Sequence, residues 1–430
     1  MEMKTQLTSA KKGVITEEVK QVARDEGLPP DKIRRGVAAG RIVITKNTVR
    51  NIPALGIGEG LFVKVNANIG TSQDILDVDM ELEKARVAEA AGAHTLMDLS
   101  TAGDINEIRK RILAETNLVV GTVPIYQAAI KMNEEGKAIV DMTEDDLFNV
   151  IEQQCRDGVD FITVHCAVNK QSVEKIRQQD RLMGIVSRGG TFLASRILHT
   201  GEENPLYSNY DYLLELAGEY DVTLSLGDGM RPGCVHDATD MPQIQELVTI
   251  GELVQRARDA GVQAMVEGPG HVPLDQVEAN VKIQKTICKG APFYVLGPLV
   301  TDIAPGYDHI VGAIGGALAA SAGVDYLCYL TPSEHIGLPD IEDVREGVIA
   351  SRIAAHVGDM IRRPDVAFEW DYNMSKARAE LDWEEQIKQA INSGKTRRIR
   401  EKRAPREEEG EGCSMCGDFC AVKILKEYLK

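Results

Sequence analysis

No apolar run in this chain reaches the roughly 18 residues that a membrane-spanning helix needs. The opening residues, Met1-Glu-Met-Lys-Thr, lack the apolar core of a secretory signal. Basic residues are in deficit: 49 Lys and Arg stand against 66 Asp and Glu, for a formal charge of −17. Phosphate backbones and anionic lipid surfaces call for dense Lys and Arg, so neither nucleic acid nor a membrane is expected as a partner. Any anionic small molecule must then be held by local groups. Cysteine is sparse along most of the chain: Cys155, Cys166, Cys234, Cys288 and Cys328 show no paired spacing, which excludes a disulfide framework and predicts reduced, mostly buried thiols. These absences predict a soluble cytoplasmic protein.

The remaining three cysteines are crowded into eight positions near the end, Cys413-Ser-Met-Cys416-Gly-Asp-Phe-Cys420. Three close thiols with Gly417 to relax the backbone suit a metal held from one tight loop. A structural zinc site would normally close with a fourth protein ligand, whereas a [4Fe–4S] cluster on three cysteines leaves one iron open for chemistry. A zinc site or a bare thiol tail stays compatible with the spacing alone.

Residues 1–58 read as a small N-terminal cap: a helix over Thr16–Glu26, a Pro29-Pro30 break and a short strand at Arg41–Thr45. From 59 to 340 short β-rich runs alternate with amphipathic helical stretches. The runs begin at Phe62, Thr95, Leu118, Phe161, Leu182, Val222, Val262, Phe293 and Tyr326. Such alternation gives a parallel sheet, and about eight units over this length fit a (β/α)₈ TIM-type barrel, an α/β fold. Nine candidates compete for eight places, and 293–297 is expected to be the loop or extra strand. Residues 341–395 turn helical, and 396–430 read as a charged, apolar-poor tether bearing the cysteine tail.

Nearly every strand candidate ends in a group able to bind or react: Asn68, Met97-Asp98, Tyr126, His165, Ser187-Arg188, Asp228, Glu267 and Tyr294. In barrels that rim carries the active site. Glu267-Gly-Pro-Gly-His271 and Ser333-Glu334-His335 each set a carboxylate beside an imidazole, so His271 and His335 can share an incomplete divalent-metal site. Ser187-Arg188-Gly189-Gly190 opens a helix and suits a phosphate, although a plain strand–helix connection explains it as well. In Gly227-Asp228-Gly229-Met230-Arg231, Asp228 can accept from a substrate and Arg231 can hold an anion, or the two can brace the loop as an ion pair. The loop Thr301–His309 does not separate substrate contact from bracing. His94, His199, His236 and His356 read as ordinary histidines.

Together Asn66-Ala-Asn68-Ile-Gly70, Gly121-Thr-Val-Pro-Ile-Tyr126, Val186–Gly190, Gly227–Gly233, Glu267–His271, Ala291-Pro-Phe-Tyr294, Thr301–His309 and the cysteine tail resemble the phosphomethylpyrimidine synthase family of radical S-adenosylmethionine enzymes. The resemblance runs from about residue 60 to the C-terminus. It implies a barrel with a small N-terminal domain and C-terminal helices, in a homodimer where one subunit's cysteine tail completes its partner's site. It implies substrate contacts to 5-aminoimidazole ribotide from Asn68, Met97, Tyr126, His165, Ser187, Arg188, Gly189, Asp228, Gly229, Met230, Arg231, Glu267 and Tyr294. His271 and His335 would hold zinc or a similar divalent ion. Cys413, Cys416 and Cys420 would hold the [4Fe–4S] cluster, and together with Glu267 they carry the catalysis. S-adenosylmethionine is the implied cosubstrate, and a flavodoxin or ferredoxin type of donor supplies electrons.

The implied reaction is conversion of the ribotide to hydroxymethylpyrimidine phosphate in thiamin biosynthesis. The sequence departs from the better-known members in having three residues, not four, between Cys416 and Cys420, and Met230 where many have leucine. Both leave room for the sister activity, 5-hydroxybenzimidazole synthase, which starts from the same ribotide. A non-radical, metal-dependent barrel lyase or hydrolase built on Glu267, His271 and His335, and an Fe–S regulatory protein that binds the ribotide, are the other classes the residues allow.

Overall fold

Four consecutive residues, Ile42–Thr45, form strand β1 and divide their side chains between two cores. Ile42 and Ile44 join Val19, Val22, Ile33 and Val37 in a small cluster, while Val43 joins the main core. This follows from the two-residue period of a strand. β1 pairs antiparallel with β2 (Leu55–Gly58), with Ile42 opposite Gly58. The expected N-terminal helix forms over Glu17–Asp25, where the Thr16 hydroxyl accepts from the Val19 N–H.

The structure, a computed structural model, describes residues 4–403 and 413–428. It divides into two compact units, Met1–Arg362 and Arg363–Lys430.

In the first unit eight parallel strands close a barrel: β3 (Lys64–Ile69), β4 (Thr95–Asp98), β5 (Val119–Thr122), β6 (Phe161–Val164), β7 (Thr223–Leu226), β8 (Ala264–Gly268), β9 (Phe293–Leu296) and β10 (Tyr326–Cys328). Their order follows the chain, with β10 returning to pair with β3. The (β/α)₈ expectation is met. The end remote from the site is tied by buried charge: Asp160 accepts from Arg50 at 2.6 Å and from the amides of Asn47 and Val120, both at 2.8 Å. The helix Ile341–Arg362 belongs to this unit.

Two strand expectations are corrected. Phe293–Leu296 is a full barrel strand, paired with both β8 and β10. Leu182–Val186 is the run that is not a strand. Its backbone turns because the Leu182 and Met183 amides both donate to the Asp237 carboxylate, at 2.9 and 3.0 Å, while neighbouring Arg181 forks onto Asp240 at 2.6 and 2.7 Å. Leu182 and Met183 are exposed, so the apolar run has no core to enter.

In the second unit the helices are Pro364–Glu380, Trp383–Gln389 and Ser393–Arg403. Within the stretch expected to be helical, the chain breaks at Leu381, whose φ is +60°. The basic stretch expected to begin the tether is instead helical over Ser393–Arg403. It has no buried face and is held by charge: Arg397 grips Glu384 at 2.8 and 3.1 Å, and the Arg400 guanidinium lies 3.9 Å from the Trp383 ring centre. The acidic run Glu407–Gly412 lies outside the described residues. Among the described residues no helix is long and apolar enough to cross a membrane.

Candidate active site at the barrel mouth

The inward side chains of β3, β4, β9 and β10 build a polar floor. Asn66 Nδ2 donates to Asn68 Oδ1 at 2.7 Å and to the Tyr294 hydroxyl at 2.9 Å, and the Thr95 hydroxyl donates to Asn66 Oδ1 at 2.7 Å. The Tyr294 hydroxyl in turn points at Met97 Sδ, 3.6 Å away, and its ring stacks on Tyr326 at 4.1 Å. Each polar group has a partner, so the floor is rigid without being dry of hydrogen-bonding capacity. Above it opens a cavity of about 600 Å³. Its walls include Asn68, Met97, Tyr126, His165, Arg188, Asp228, Arg231, Glu267 and Tyr294, all at positions singled out in the sequence.

An acid cluster occupies the β7–β8 side. Glu267 Oε1 accepts from the Thr163 and Ser225 hydroxyls at 2.6 and 2.7 Å, the first on β6 and the second on adjacent β7. Asp228, one turn beyond β7, accepts from Arg231 at 3.1 Å, and its other oxygen has no partner within the protein. Burial pushes both carboxyls above their ordinary values, and the Asp228 charge adds to the rise at Glu267. Burial opposes the Arg231 charge, but Asp228, Tyr126 and Glu267 outweigh it and hold the guanidinium protonated. Two carboxyls sharing one cation in a buried wall are suited to moving a proton near neutral pH.

The β6 side holds His165, fully buried, with Nε2 3.1 Å from the Ser187 hydroxyl. Ser187 caps the helix Arg188–Thr200 and accepts from the Gly190 N–H, which leaves its own proton for the imidazole. Burial, helped by Arg231, pushes the His165 pKa down to about 3, so the ring is neutral. The space is closed by backbone: a Cβ on Gly190 would lie 2.4 Å from the Gly229 carbonyl oxygen. Arg188 reaches over the Tyr126 ring at 4.8 Å. A capped helix N-terminus with an arginine beside it is an anion seat. Ser187, Gly189 and Gly229 support these walls from behind. Met230 is fully buried in the main core and does not line the cavity.

His271 and His335 stand side by side, ring centres 5.3 Å apart. Their Nδ1 atoms are held by different carboxylates, Asp302 at 2.7 Å and Asp308 at 2.8 Å. That pins each ring and leaves both Nε2 atoms for a ligand, the arrangement that orients metal-binding imidazoles. The loop Thr301–His309 therefore supplies the orienting acids, which the sequence did not distinguish. Glu334, next to His335, lines the cavity, its carboxyl pushed up by burial.

In the second unit, Gly417 adopts φ +51°, and the turn returns its amide to the Cys413 carbonyl at 3.3 Å. The amides of Cys416 and Met415 hold the Cys413 thiol below its ordinary value, and the Cys416 thiol bonds to it. Among the described residues the three thiols are not gathered into a metal cluster, nor are any three of His, Cys, Asp or Glu. The donor set, two paired thiols and a third one turn on, is of the kind that holds iron–sulfur clusters.

Sequence reasoning missed several groups. Cys328 lines the cavity and takes a bond from Asn68 Nδ2 at 3.2 Å. Thr163 and Ser225 were hidden by being ordinary strand residues. Glu246, within the helix Met241–Ala260, gave no motif signal, yet it accepts from the Met230 amide at 2.7 Å behind the Asp228 turn.

A family model described as the radical SAM ThiC family matches residues 5–427. A protein named phosphomethylpyrimidine synthase from Desulforamulus reducens is 58% identical over 426 residues, covering 99% of this chain and 98% of the relative. Those of the same name from Desulforudis audaxviator and Pyrococcus furiosus are 59% and 56% identical, with the same coverage.

Proposed function

Because the chain belongs to the radical SAM ThiC family, we propose that it converts 5-aminoimidazole ribotide to 4-amino-5-hydroxymethyl-2-methylpyrimidine phosphate in thiamin biosynthesis. The reading includes S-adenosylmethionine as cosubstrate, a homodimer, and a flavodoxin or ferredoxin type of electron donor. Its best support is that nine of the thirteen residues expected to touch the ribotide line one cavity.

Within that reading the ribotide phosphate lies at the N-terminus of the helix Arg188–Thr200, where unpaired amides and Arg188 favour a dianion. Neutral His165, fixed by Ser187, gives an uncharged hydrogen-bonding edge to the ribose side. Glu267 and Asp228 face the imidazole and its amine, and their raised pKa values let them give or take a proton at neutral pH. The tyrosines and apolar rim exclude water from a reactive intermediate. Cys413, Cys416 and Cys420 would hold a [4Fe–4S] cluster that would supply the electron for reductive cleavage of S-adenosylmethionine, and His271 and His335 would hold a divalent ion that would supply Lewis acidity.

Anaerobic reconstitution with iron and sulfide, followed by turnover with ribotide and mass spectrometry of the product, tests the proposal. The pyrimidine phosphate with stoichiometric 5′-deoxyadenosine is expected. A benzimidazole product would assign the sister activity instead, and a colourless, active zinc protein would remove the radical chemistry.

A further inference from the structure

Behind the wall formed by Asp228, Arg231, Glu267 and Gly268 lies a second cavity, with about 20 Å³ open to the centre of a water. That is room for one water, which needs two or more polar partners to stay. Two face it. Asp228 and Glu246 both line this space, and one buried carboxylate oxygen of each, Asp228 Oδ2 and Glu246 Oε1, has no hydrogen-bond partner within the protein. The other Glu246 oxygen is fixed by the Met230 amide at 2.7 Å, so the free one is aimed rather than mobile. Gly229 lets it approach: a Cβ there would stand 3.2 Å from Glu246 Oε1.

We propose that Glu246 stores a proton for the active site and delivers it to Asp228 through a single water held in this rear cavity. The inference rests on the reading that Asp228 touches the substrate. When Asp228 gives its proton to a basic nitrogen of the bound ligand, the water passes a proton to Asp228 and takes one from Glu246. Glu246 is left as a carboxylate on the Met230 amide. One proton has moved from Glu246 to the ligand, no electrons move, and solvent restores the proton once product leaves.

The groups facing Glu246 agree with a stored proton. Asp228 and Arg231 come from the β7 turn, Glu267 from β8, and Arg181 from the segment before the helix Arg188–Thr200. The helix Leu274–Ile287 contributes the neutral Asn280, and Glu246's own helix the neutral Gln243. Arg181 is occupied by Asp240 and Arg231 by Asp228. Burial, with Asp228 adding to it, pushes the Glu246 carboxyl up to about 8.

Infrared difference spectra of the whole protein, wild type against Glu246→Gln, decide the proton's place. A protonated-carboxyl stretch present at neutral pH in the wild type, absent in the variant and lost on alkaline titration is expected. Asp228→Asn, which keeps Glu246, shifts that band by changing the water's other partner. In turnover, Glu246→Gln lowers kcat about tenfold or more and removes the alkaline limb of the pH profile, while KM for ribotide stays within about threefold and Glu246→Asp recovers part of the rate. No carboxyl band, a band indifferent to Asp228→Asn, or a raised KM with unchanged kcat and pH profile would each overturn the proposal. A wild-type protein that fails to turn over the ribotide defeats the proposed reaction alone, because the spectra are read without it.

Discussion

His165 and Gly189 are in direct contact, so close that a Cβ on Gly189 would lie 2.4 Å from the imidazole Cε1 and 2.5 Å from Nδ1. The helix carrying Arg188 can approach the barrel wall only without a side chain at that point. Gly189→Ala must displace either the ring from Ser187 or the helix N-terminus from its seat. Overpacking of this kind typically costs about 1–3 kcal/mol. The expected outcome is a lower unfolding midpoint and a ribotide affinity weakened by about tenfold or more, since both the imidazole and the anion seat shift. Calorimetric titration with ribotide checks it, and an unchanged affinity would show that neither element binds the substrate.

Asp302 and Asp308 act through the histidines they hold. Replacing Asp302 by Asn removes the carboxylate that fixes the His271 tautomer while leaving both imidazoles present. Loss of such an orienting acid typically costs about 10–100-fold in metal affinity. Competition against a chromogenic chelator, with zinc as the probe, should show that loss in Asp302→Asn and in Asp308→Asn. Ribotide binding without metal should be little changed. Equal zinc affinity in both variants would show that the carboxylates only brace the loop.

The barrel was legible because its strands are short apolar runs separated by amphipathic helices, a pattern that burial on both faces imposes. The one misplaced strand shows the limit. Leu182–Val186 and Phe293–Leu296 look alike in composition, and what separates them is a remote acid, Asp237, that captures two amides of the first. Rim residues were visible because strand ends fix their position, whereas Glu246 reaches the site from the middle of a helix behind it. Met230, expected to touch the substrate, has its side chain buried in the main core, away from the residues that line the cavity. The helix Ser393–Arg403 was unreadable from hydrophobicity because ion pairs and an arginine on a tryptophan hold it.

Stability should fall as pH rises from mildly acidic to mildly basic conditions. Burial pushes the Asp221 carboxyl up to about 8 and Glu246 likewise to about 8. Unfolded, such groups titrate near about 3.9 and 4.3. Between those limits the native state holds protons that the unfolded chain has released, so their contribution is fully present below about pH 4 and is lost as pH rises through about 8. Each group adds a downward slope of at most about 1.4 kcal/mol per pH unit. Asp325 works the other way, lowered by Lys285 and Arg362 despite its burial, but its window lies below the ordinary carboxylate value. Urea midpoints should decline above about pH 6.5, where the opposing gain from neutral, buried His165 is complete, and Asp221→Asn should flatten the decline. Asparagine tolerates the left-handed backbone at that position, where φ is +52°. A midpoint that climbs toward pH 8 would contradict the buried, protonated state of both acids.

Cys416→Ala separates the radical reading from a metal lyase. Cys416 is exposed, so its loss removes little buried packing, and every wall of the large cavity comes from residues 68–339. The fold and the ribotide pocket should therefore survive, with affinity within about tenfold of the wild type. Turnover should vanish, because two thiols cannot hold a cluster that needs three and leaves one iron open. If the chemistry ran instead on Glu267, His271 and His335, the cysteine tail would be an accessory and the variant would keep most of its rate. Loss of ribotide binding would mean that the tail forms part of the pocket wall. Parallel measurement of iron content, product and 5′-deoxyadenosine formation and ribotide affinity in one preparation distinguishes these outcomes: the radical reading loses iron and both products with affinity kept, the lyase reading keeps its product, and a tail in the wall loses affinity as well.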